Sequence, residues 1–289
     1  MKEKETCLFG LFGDPVGHSL SPCLQNEAFR LLGVDGVYLK FRVKREDLAT
    51  AMAAVRCLNF AGVNLTIPHK ETVISYLDEL AGDARLTGSV NTVVPAGGKL
   101  IGYSTDGEGF LLSLRQEAKV EPAGKRVVIL GAGGAARALA FRLAQAEVGA
   151  LTLVGRDPVK THSLVKELQG KTGFPAGSCT FASPCLTEIA ATADLVVNAT
   201  PLGMSPDLSS QPPFPLAACP ADCLVADLVY NPLETAFLKE ARRRGLKTLS
   251  GLGMLVYQGI LACQLWTGKL PPFAPLYRLL KEKLTPRRD

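Results

Sequence analysis

Between residues 127 and 146 the sequence leaves the chain few options. Val127-Val128-Ile129-Leu130 is a continuous apolar run, mostly β-branched, as in strands buried on both faces of a parallel sheet. It leads into Gly131-Ala132-Gly133-Gly134-Ala135-Ala136, and a helical pattern follows over residues 135–146. The six residues fit the spacing G-x-G-x-x-G/A. Gly131 permits the tight turn, Gly133 lets backbone approach a pyrophosphate, and Ala136 is small enough for close helix–strand packing. The helix N-terminus, entered through Gly134 and Ala135, offers free N–H groups and a positive dipole end to phosphates. Alone, such a motif is only a tight turn. With a strand before it and a helix after it, it reads as a dinucleotide-binding loop.

The runs at 151–154, 195–197 and 224–228 repeat the buried-strand character, with helical patterns at 135–146 and 158–168 between some of them. That alternation predicts a doubly wound α/β domain. The N-terminal part also alternates. Strands are predicted at 7–12, 37–43, 62–68, 89–94 and 99–103, and helices at 46–55, 70–80 and 108–118. Another helix runs from Ser21-Pro22 to Gly33, with Ser21 read as its cap and Pro22 as its first helical residue. The proline-rich stretches 201–220 and 271–275 read as ordered loops. At 289 residues there is chain for about two domains.

Composition narrows the class. A hydrophobic share of 47% excludes a disordered chain, and eight cysteines are too dilute for a disulfide scaffold of this length. No apolar stretch approaches the ~18 residues of a membrane span, and the charged start Met1 to Thr6 lacks a signal-peptide core. The expectation is a soluble cytoplasmic protein with reduced thiols. The surplus of +5 suits an anionic small molecule at least as well as nucleic acid. Its densest patch, Arg242-Arg243-Arg244 before Gly245, reads as a helix end complementing the dipole.

Candidate chemistry is sparse. The three histidines, His18, His69 and His162, form no H-E-x-x-H pair, and the cysteines form no C-x-x-C, so no metal site is expected. No G-x-S-x-G elbow is present. What remains is Lys70, where a predicted strand meets a helix start, and Asp106, at the junction of the chain's two halves. A partly desolvated lysine beside a carboxylate can act as acid or base. Taken singly, Lys70 reads as a solvated cation and Asp106 as a turn or cap residue.

In sequence order, these pieces resemble the shikimate dehydrogenase family over about residues 7–284. Phe12-Gly13-Asp14-Pro15-Val16-Gly17-His18-Ser19-Leu20-Ser21-Pro22 is similar to its H-S-x-S-P block, and Asn64-Leu65-Thr66-Ile67-Pro68-His69-Lys70 to N-V-T-x-P-x-K. Gly88-Ser89-Val90-Asn91-Thr92 is similar to G-A-V-N-T, with serine for alanine, and Ser104-Thr105-Asp106-Gly107 to N-T-D-G, with serine for asparagine. Two later blocks, Asp227 to Pro232 and Gly251 to Gln258, also match. The resemblance implies two α/β domains, one for substrate with a mixed sheet and one Rossmann-like and doubly wound. It implies reversible NADPH-dependent reduction of 3-dehydroshikimate to shikimate, on the route to chorismate and the aromatic amino acids.

The resemblance makes Lys70 and Asp106 the catalytic pair. Ser19 and Ser21 would bind the substrate carboxylate, with Thr66, Asn91, Tyr230 and Gln258 around the ring. For the cofactor it implies Gly131, Ala132, Gly133, Gly134 and Ala135, the strip Arg156, Asp157 and Lys160, and Leu228 and Gly251. Because Gln258 must reach the same site as Ser19, the expected division is a substrate domain of 1–107 completed by 251–289, with a cofactor domain of 108–250 inserted. The expected assembly is a monomer or homodimer, with no nucleic-acid or membrane partner.

The cofactor strip departs from the NADP pattern N-R-T-x-x-R. Here it reads Gly155-Arg156-Asp157-Pro158-Val159-Lys160. Arg156 and Lys160 suit a 2′-phosphate. Asp157 suits a free 2′-hydroxyl, or caps the helix beginning at Pro158. NADP is favoured, with NAD as the alternative. Rival readings are an NAD-using quinate/shikimate dehydrogenase and a non-catalytic dinucleotide sensor of the same fold; the presence of both Lys70 and Asp106 argues against the sensor.

Overall fold

The computed structural model describes residues 6–285; residues 1–5 and 286–289, with part of the charged start discussed above, lie outside the described residues. The elements run β1 Cys7–Gly13, α1 Ser21–Leu32, β2 Gly36–Arg42, α2 Leu48–Cys57, β3 Gly62–Leu65, β4 Glu79–Leu80, α3 Asp83–Thr87, β5 Thr92–Ala96, β6 Lys99–Tyr103 and α4 Asp106–Gln116. They continue β7 Arg126–Leu130, α5 Gly134–Gln145, β8 Ala150–Gly155, α6 Pro158–Thr172, β9 Ala176–Thr180, α7 Leu186–Ala191 and β10 Leu195–Asn198. The last are β11 Leu224–Asp227, α8 Ala236–Arg243, β12 Lys247–Leu249, α9 Leu252–Thr267 and α10 Phe273–Leu284. Two compact units result. One reaches Gly109 and resumes over Val256–Glu282; the other covers Phe110–Leu255 and takes in Lys283 onward.

The first unit holds a six-stranded mixed sheet in the order β2-β1-β3-β5-β6-β4. β1, β2 and β3 are parallel, whereas β5 opposes both β3 and β6. This reversal brings the end of β3, the start of β5 and the end of β6 to one edge, in the row Asn64, Thr92 and Tyr103. Phe12, Met52, Phe60, Val63, Val73 and Leu100 are among the core side chains. On β3, a Cβ at Gly62 would lie 2.2 Å from the Trp266 indole nitrogen. Glycine there lets α9 lay its indole on the strand, and Trp266 donates to the Val93 carbonyl at 3.0 Å.

The second unit holds a wholly parallel sheet in the order β12-β11-β10-β7-β8-β9. The chain starts in the middle, winds outward to β9, then restarts on the other side of β7. That is the doubly wound arrangement, with its switch point between β7 and β10. Val128, Leu130, Val154, Val196, Val225 and Phe237 pack in its core. Among the described residues, no helix is long and apolar enough to cross a membrane.

Several local expectations are corrected. Residues 70–80 are not an α-helix but a 3-10 turn at Thr72–Tyr76 followed by β4. The consecutive β-branched Thr72, Val73 and Ile74 lose rotamer freedom in an α-helix. The N-cap of α1 is Leu20, without a side-chain hydrogen bond, and Ser21 is already helical. α4 begins at Asp106, and its first turn carries Asp106 and Glu108, which suit the positive dipole end. β5 starts at Thr92 rather than 89, and Pro275 lies inside α10 rather than in a loop.

Candidate active site

In the first unit, Lys70 follows β3 on a short loop that begins at Thr66. The loop is closed by backbone: the Thr66 N–H donates to the Phe12 carbonyl at 2.9 Å, His69 to Thr66 at 2.8 Å, and Val90 to Lys70 at 2.7 Å. The Lys70 ammonium then donates to Asp106 Oδ2 at 2.5 Å. Its side chain is 18% exposed and that of Asp106 6%. At this burial, either charge alone would carry a heavy desolvation cost, so each is retained by the other and by further hydrogen bonds.

Those bonds come from Asn91, just before β5. Its Nδ2 donates to Asp106 Oδ1 and to Thr105 Oγ1, both at 2.9 Å, while Oδ1 accepts from the Thr105 backbone N–H at 2.9 Å. The Thr105 hydroxyl donates to the Gln258 carbonyl at 3.0 Å, and Asn91 Nδ2 lies 3.4 Å from Gln258 Oε1. A Cβ on Gly109 would sit 2.8 Å from the Gln258 backbone nitrogen, so glycine there permits the close approach of Gln258. The structure therefore brings Lys70, Asn91, Asp106 and Gln258 into one hydrogen-bonded cluster.

Ser19 and Ser21 pair with each other. The Ser19 hydroxyl donates to Ser21 Oγ at 3.1 Å, and the Ser21 N–H donates to Ser19 Oγ at 3.2 Å. One turn further on, Gln25 Nε2 donates to the Gly259 carbonyl at 2.9 Å, which pins α1 beside the residue following Gln258. Thr66 is half-buried at the start of the Lys70 loop. Tyr230 belongs to the second unit, half-buried three residues after β11.

In the second unit the glycine loop sits at the switch point. Gly131 has φ +119°, a conformation side chains disfavour, and a Cβ there would lie 3.1 Å from the Ala199 carbonyl oxygen. Gly133 caps α5 in extended conformation, and a Cβ on it meets nothing within 4 Å. Ala132, Gly134 and Ala135 are half-buried around that space, and Ala136 is fully buried against the sheet. The α5 N-terminus is thus reachable, with no side chain bonded to it at the cap. Arg137 holds α5 to α6 through Glu167 at 2.7 Å; this bond, aided by Lys171, pulls the Glu167 carboxyl down to about 2.

Arg156 and Lys160 are exposed. Asp157 is the N-cap of α6, its Oδ1 accepting from the Lys160 N–H at 3.1 Å. A Cβ on Gly251 would lie 2.3 Å from the Leu228 carbonyl oxygen, so these two backbones adjoin and only glycine allows it. Behind them, Asp227 is 1% exposed and accepts from Asn198 Nδ2, the Val229 N–H and the Thr235 hydroxyl. Burial pushes its carboxyl up to about 6 against those three bonds. Arg242, Arg243 and Arg244 close α8 and pair with Glu234 and Glu240. Among the described residues, no three His, Cys, Asp or Glu side chains gather as a metal site would require.

Reading the sequence missed the groups that hold Asn91. Thr92 Oγ1 donates to Asn91 Oδ1 at 3.1 Å, and Asn64 Nδ2 donates to the Asn91 carbonyl at 2.9 Å. An available signal was Asn64 itself, a polar residue between Val63 and Leu65 on a strand buried throughout.

Two family models match the chain: the shikimate dehydrogenase substrate binding domain over residues 11–93, and the shikimate 5'-dehydrogenase C-terminal domain over residues 251–281. The shikimate dehydrogenase (NADP(+)) of Desulforamulus reducens is 43% identical over 280 residues, covering 97% of this chain and 96% of that protein. A shikimate dehydrogenase solved in complex with NADP+ superposes with a TM-score of 0.90 at 40% identity, over 97% of this chain and 96% of the other. The shikimate 5-dehydrogenase of Thermus thermophilus, solved with NADP(H) and shikimate, gives 0.85 at 38% identity, over 96% and 99%.

Proposed function

The chain belongs to the shikimate dehydrogenase family, and from that premise we propose that it catalyses the reversible NADPH-dependent reduction of 3-dehydroshikimate to shikimate. The observation that carries the reading is the buried Lys70–Asp106 pair, with Asn91 on the second carboxylate oxygen. Ketone reduction leaves an alkoxide that needs a proton, and Lys70 Nζ is a positioned donor. Asp106 Oδ2 holds the ammonium, and Asn91 keeps the carboxylate from turning away. In the oxidative direction the step reverses: the ammonium first releases a proton to water, and the neutral Lys70 amine then takes the proton from the hydroxyl.

The second unit fits a dinucleotide. The open space over Gly133, the start of α5 with no side-chain cap bond and the turn at Gly131 form a cradle that a side chain at residue 133 would enter. When bound, NADPH supplies the hydride. Gly131, Ala132, Gly133, Gly134 and Ala135 would hold its pyrophosphate, Arg156 and Lys160 its 2′-phosphate, and Leu228 and Gly251 would provide further contacts. Asp157 Oδ1 is engaged as a helix cap, and the exposed Arg156 and Lys160 supply the positive charge that favours NADP over NAD. Ser19 and Ser21 would bind the substrate carboxylate, and Thr66, Asn91, Tyr230 and Gln258 its hydroxyl-bearing ring, since an anion with several hydroxyls needs many directional polar groups.

The same reading places the work in the cytoplasm, on the route to chorismate, by a monomer or homodimer with no nucleic-acid partner. The deciding experiment is a spectrophotometric assay crossing shikimate and quinate with NADP+ and NAD+. The expected result is the highest kcat/KM for shikimate with NADP+. A preference for quinate or for NAD+ supports the quinate/shikimate alternative, and NADP+ binding without any turnover supports a sensor.

A further inference from the structure

Behind the Lys70–Asp106 pair, four polar side chains of the first unit form a continuous line. Tyr38 OH lies 2.7 Å from Asn64 Oδ1, Asn64 Nδ2 3.0 Å from Thr92 Oγ1, Thr92 Oγ1 3.1 Å from Asn91 Oδ1, and Asn91 Nδ2 2.9 Å from Asp106 Oδ1. Tyr38 and Thr92 are fully buried, Asn64 is 6% exposed and Asn91 3%.

The direction of every proton in this line is fixed by groups with one role each. The Asn91 carbonyl can only accept, so the Asn64 amide nitrogen faces it, at 2.9 Å, and Oδ1 is left for Tyr38. Tyr38 therefore donates; burial pushes its phenol well above the usual range, which keeps the proton on it. Thr92 Oγ1 accepts from Asn64, so its own hydrogen goes to Asn91 Oδ1. The Thr105 backbone N–H can only donate, so Asn91 Oδ1 faces it, at 2.9 Å, and the Asn91 nitrogen faces Asp106.

We infer that Tyr38, Asn64 and Thr92 are positioning residues for the reaction: an oriented donor line that fixes the Asn91 amide and, through it, the Asp106 carboxylate that holds Lys70. Hydrogen bonds aligned in one sense polarise one another, so the carboxylate receives more than Asn91 alone would give. Without the line, the Asn91 amide keeps its bonds to Thr105 but loses the donors behind it, so it is less firmly held and less polarised toward Asp106 Oδ1. The far end is itself braced, because Asn26 bonds both the N–H and the carbonyl of Tyr38 at 2.8 and 3.0 Å. This inference rests on the proposed function.

Steady-state kinetics of the full chain with shikimate and NADP+ test it. Tyr38→Phe removes one oxygen and is expected to lower kcat about 3–10-fold, with KM for shikimate within about twofold. Thr92→Val breaks two links and is expected to cost about 10–30-fold, while Thr92→Ser restores kcat to within about threefold of wild type. In an Asp106→Asn background, the effect of Tyr38→Phe should vanish, since the line then has no carboxylate to orient. A melting-temperature loss with kcat retained in Tyr38→Phe and Thr92→Val overturns the line as a positioning device. If Thr92→Val fails to fold, Tyr38→Phe decides alone. A wild-type chain that does not oxidise shikimate overturns the functional reading instead.

Discussion

Among the described residues, each unit buries one aspartate just at or past the end of a strand, and the two are kept in different ways. Asp106 faces an ammonium and an amide. Asp227 is as deeply buried, but its three donors, an amide, a backbone N–H and a hydroxyl, are all neutral. The first unit keeps a charge pair, its lysine 18% exposed and its carboxylate 6%. The second uses its carboxylate to tie the ends of β10 and β11 to the start of α8. On the proposed function, side chains carry the chemistry in the first unit, while in the second bare backbone at Gly131 and Gly133 offers much of the binding surface.

The largest test of that contrast is Lys70→Ala. It should lower kcat about 10²–10⁴-fold, roughly 3–5 kcal/mol of barrier, with KM for shikimate little changed. The reverse pattern in steady-state kinetics would make Lys70 a binding residue only.

Asp227 should show itself in stability rather than rate. Below about pH 3.8 its carboxyl is protonated both folded and unfolded. Between 3.8 and about 6 only the unfolded chain ionises, so folding loses stability as pH rises through that window, and above it the penalty is constant. The loss is about 3 kcal/mol. Urea unfolding of wild type and Asp227→Asn at intervals from pH 4 to 7 checks it; curves that stay parallel contradict the neutral-donor picture.

The smallest expected effect sharpens the glycine side. Gly133→Ala should weaken NADP+ binding by at least about tenfold in a fluorescence titration, about 1.4 kcal/mol, and leave the melting temperature within about 2 °C, because the added Cβ meets nothing within 4 Å. Gly131→Ala, forced to a positive φ, should instead cost about 1–3 kcal/mol of stability. Equal behaviour of the two variants would erase the distinction between a steric requirement of the fold and a surface kept bare for a ligand.

Much of this was legible in the sequence where one short segment carries its own context. The glycine loop is strand, turn and helix in a single stretch, and the Asp157 cap follows from Asp-Pro at a helix start. Lys70 and Asp106 became legible only through the order of the blocks around them, because no local spacing tells that residues 36 apart will meet. Tyr38, Asn64 and Thr92 stayed hidden for the same reason: their contacts are made by the β3–β5 register and by the packing of the edge strand β2, which are tertiary facts. β9 was missed because Ala176-Gly177-Ser178-Cys179-Thr180 has little hydrophobic signal, and β4 because it has two residues. The serine at position 89, noted as a departure, proves to be a buried hydroxyl without a partner.

The first unit is not complete when its first 109 residues have been made. Trp266, which lies on Gly62, and Gly259, whose carbonyl takes Gln25, arrive only after the whole second unit. During synthesis from the N-terminus, the strands leading to Lys70 and Asp106 must wait for that intervening stretch, which by then can already have formed its own core. A chain stopped short of Val256 would keep a sheet with Leu24 and Gln25 uncovered and the Thr105 hydroxyl without its Gln258 carbonyl. Premature termination thereby takes Gln258 out of the cluster around Asn91 and leaves exposed the surface that α9 covers.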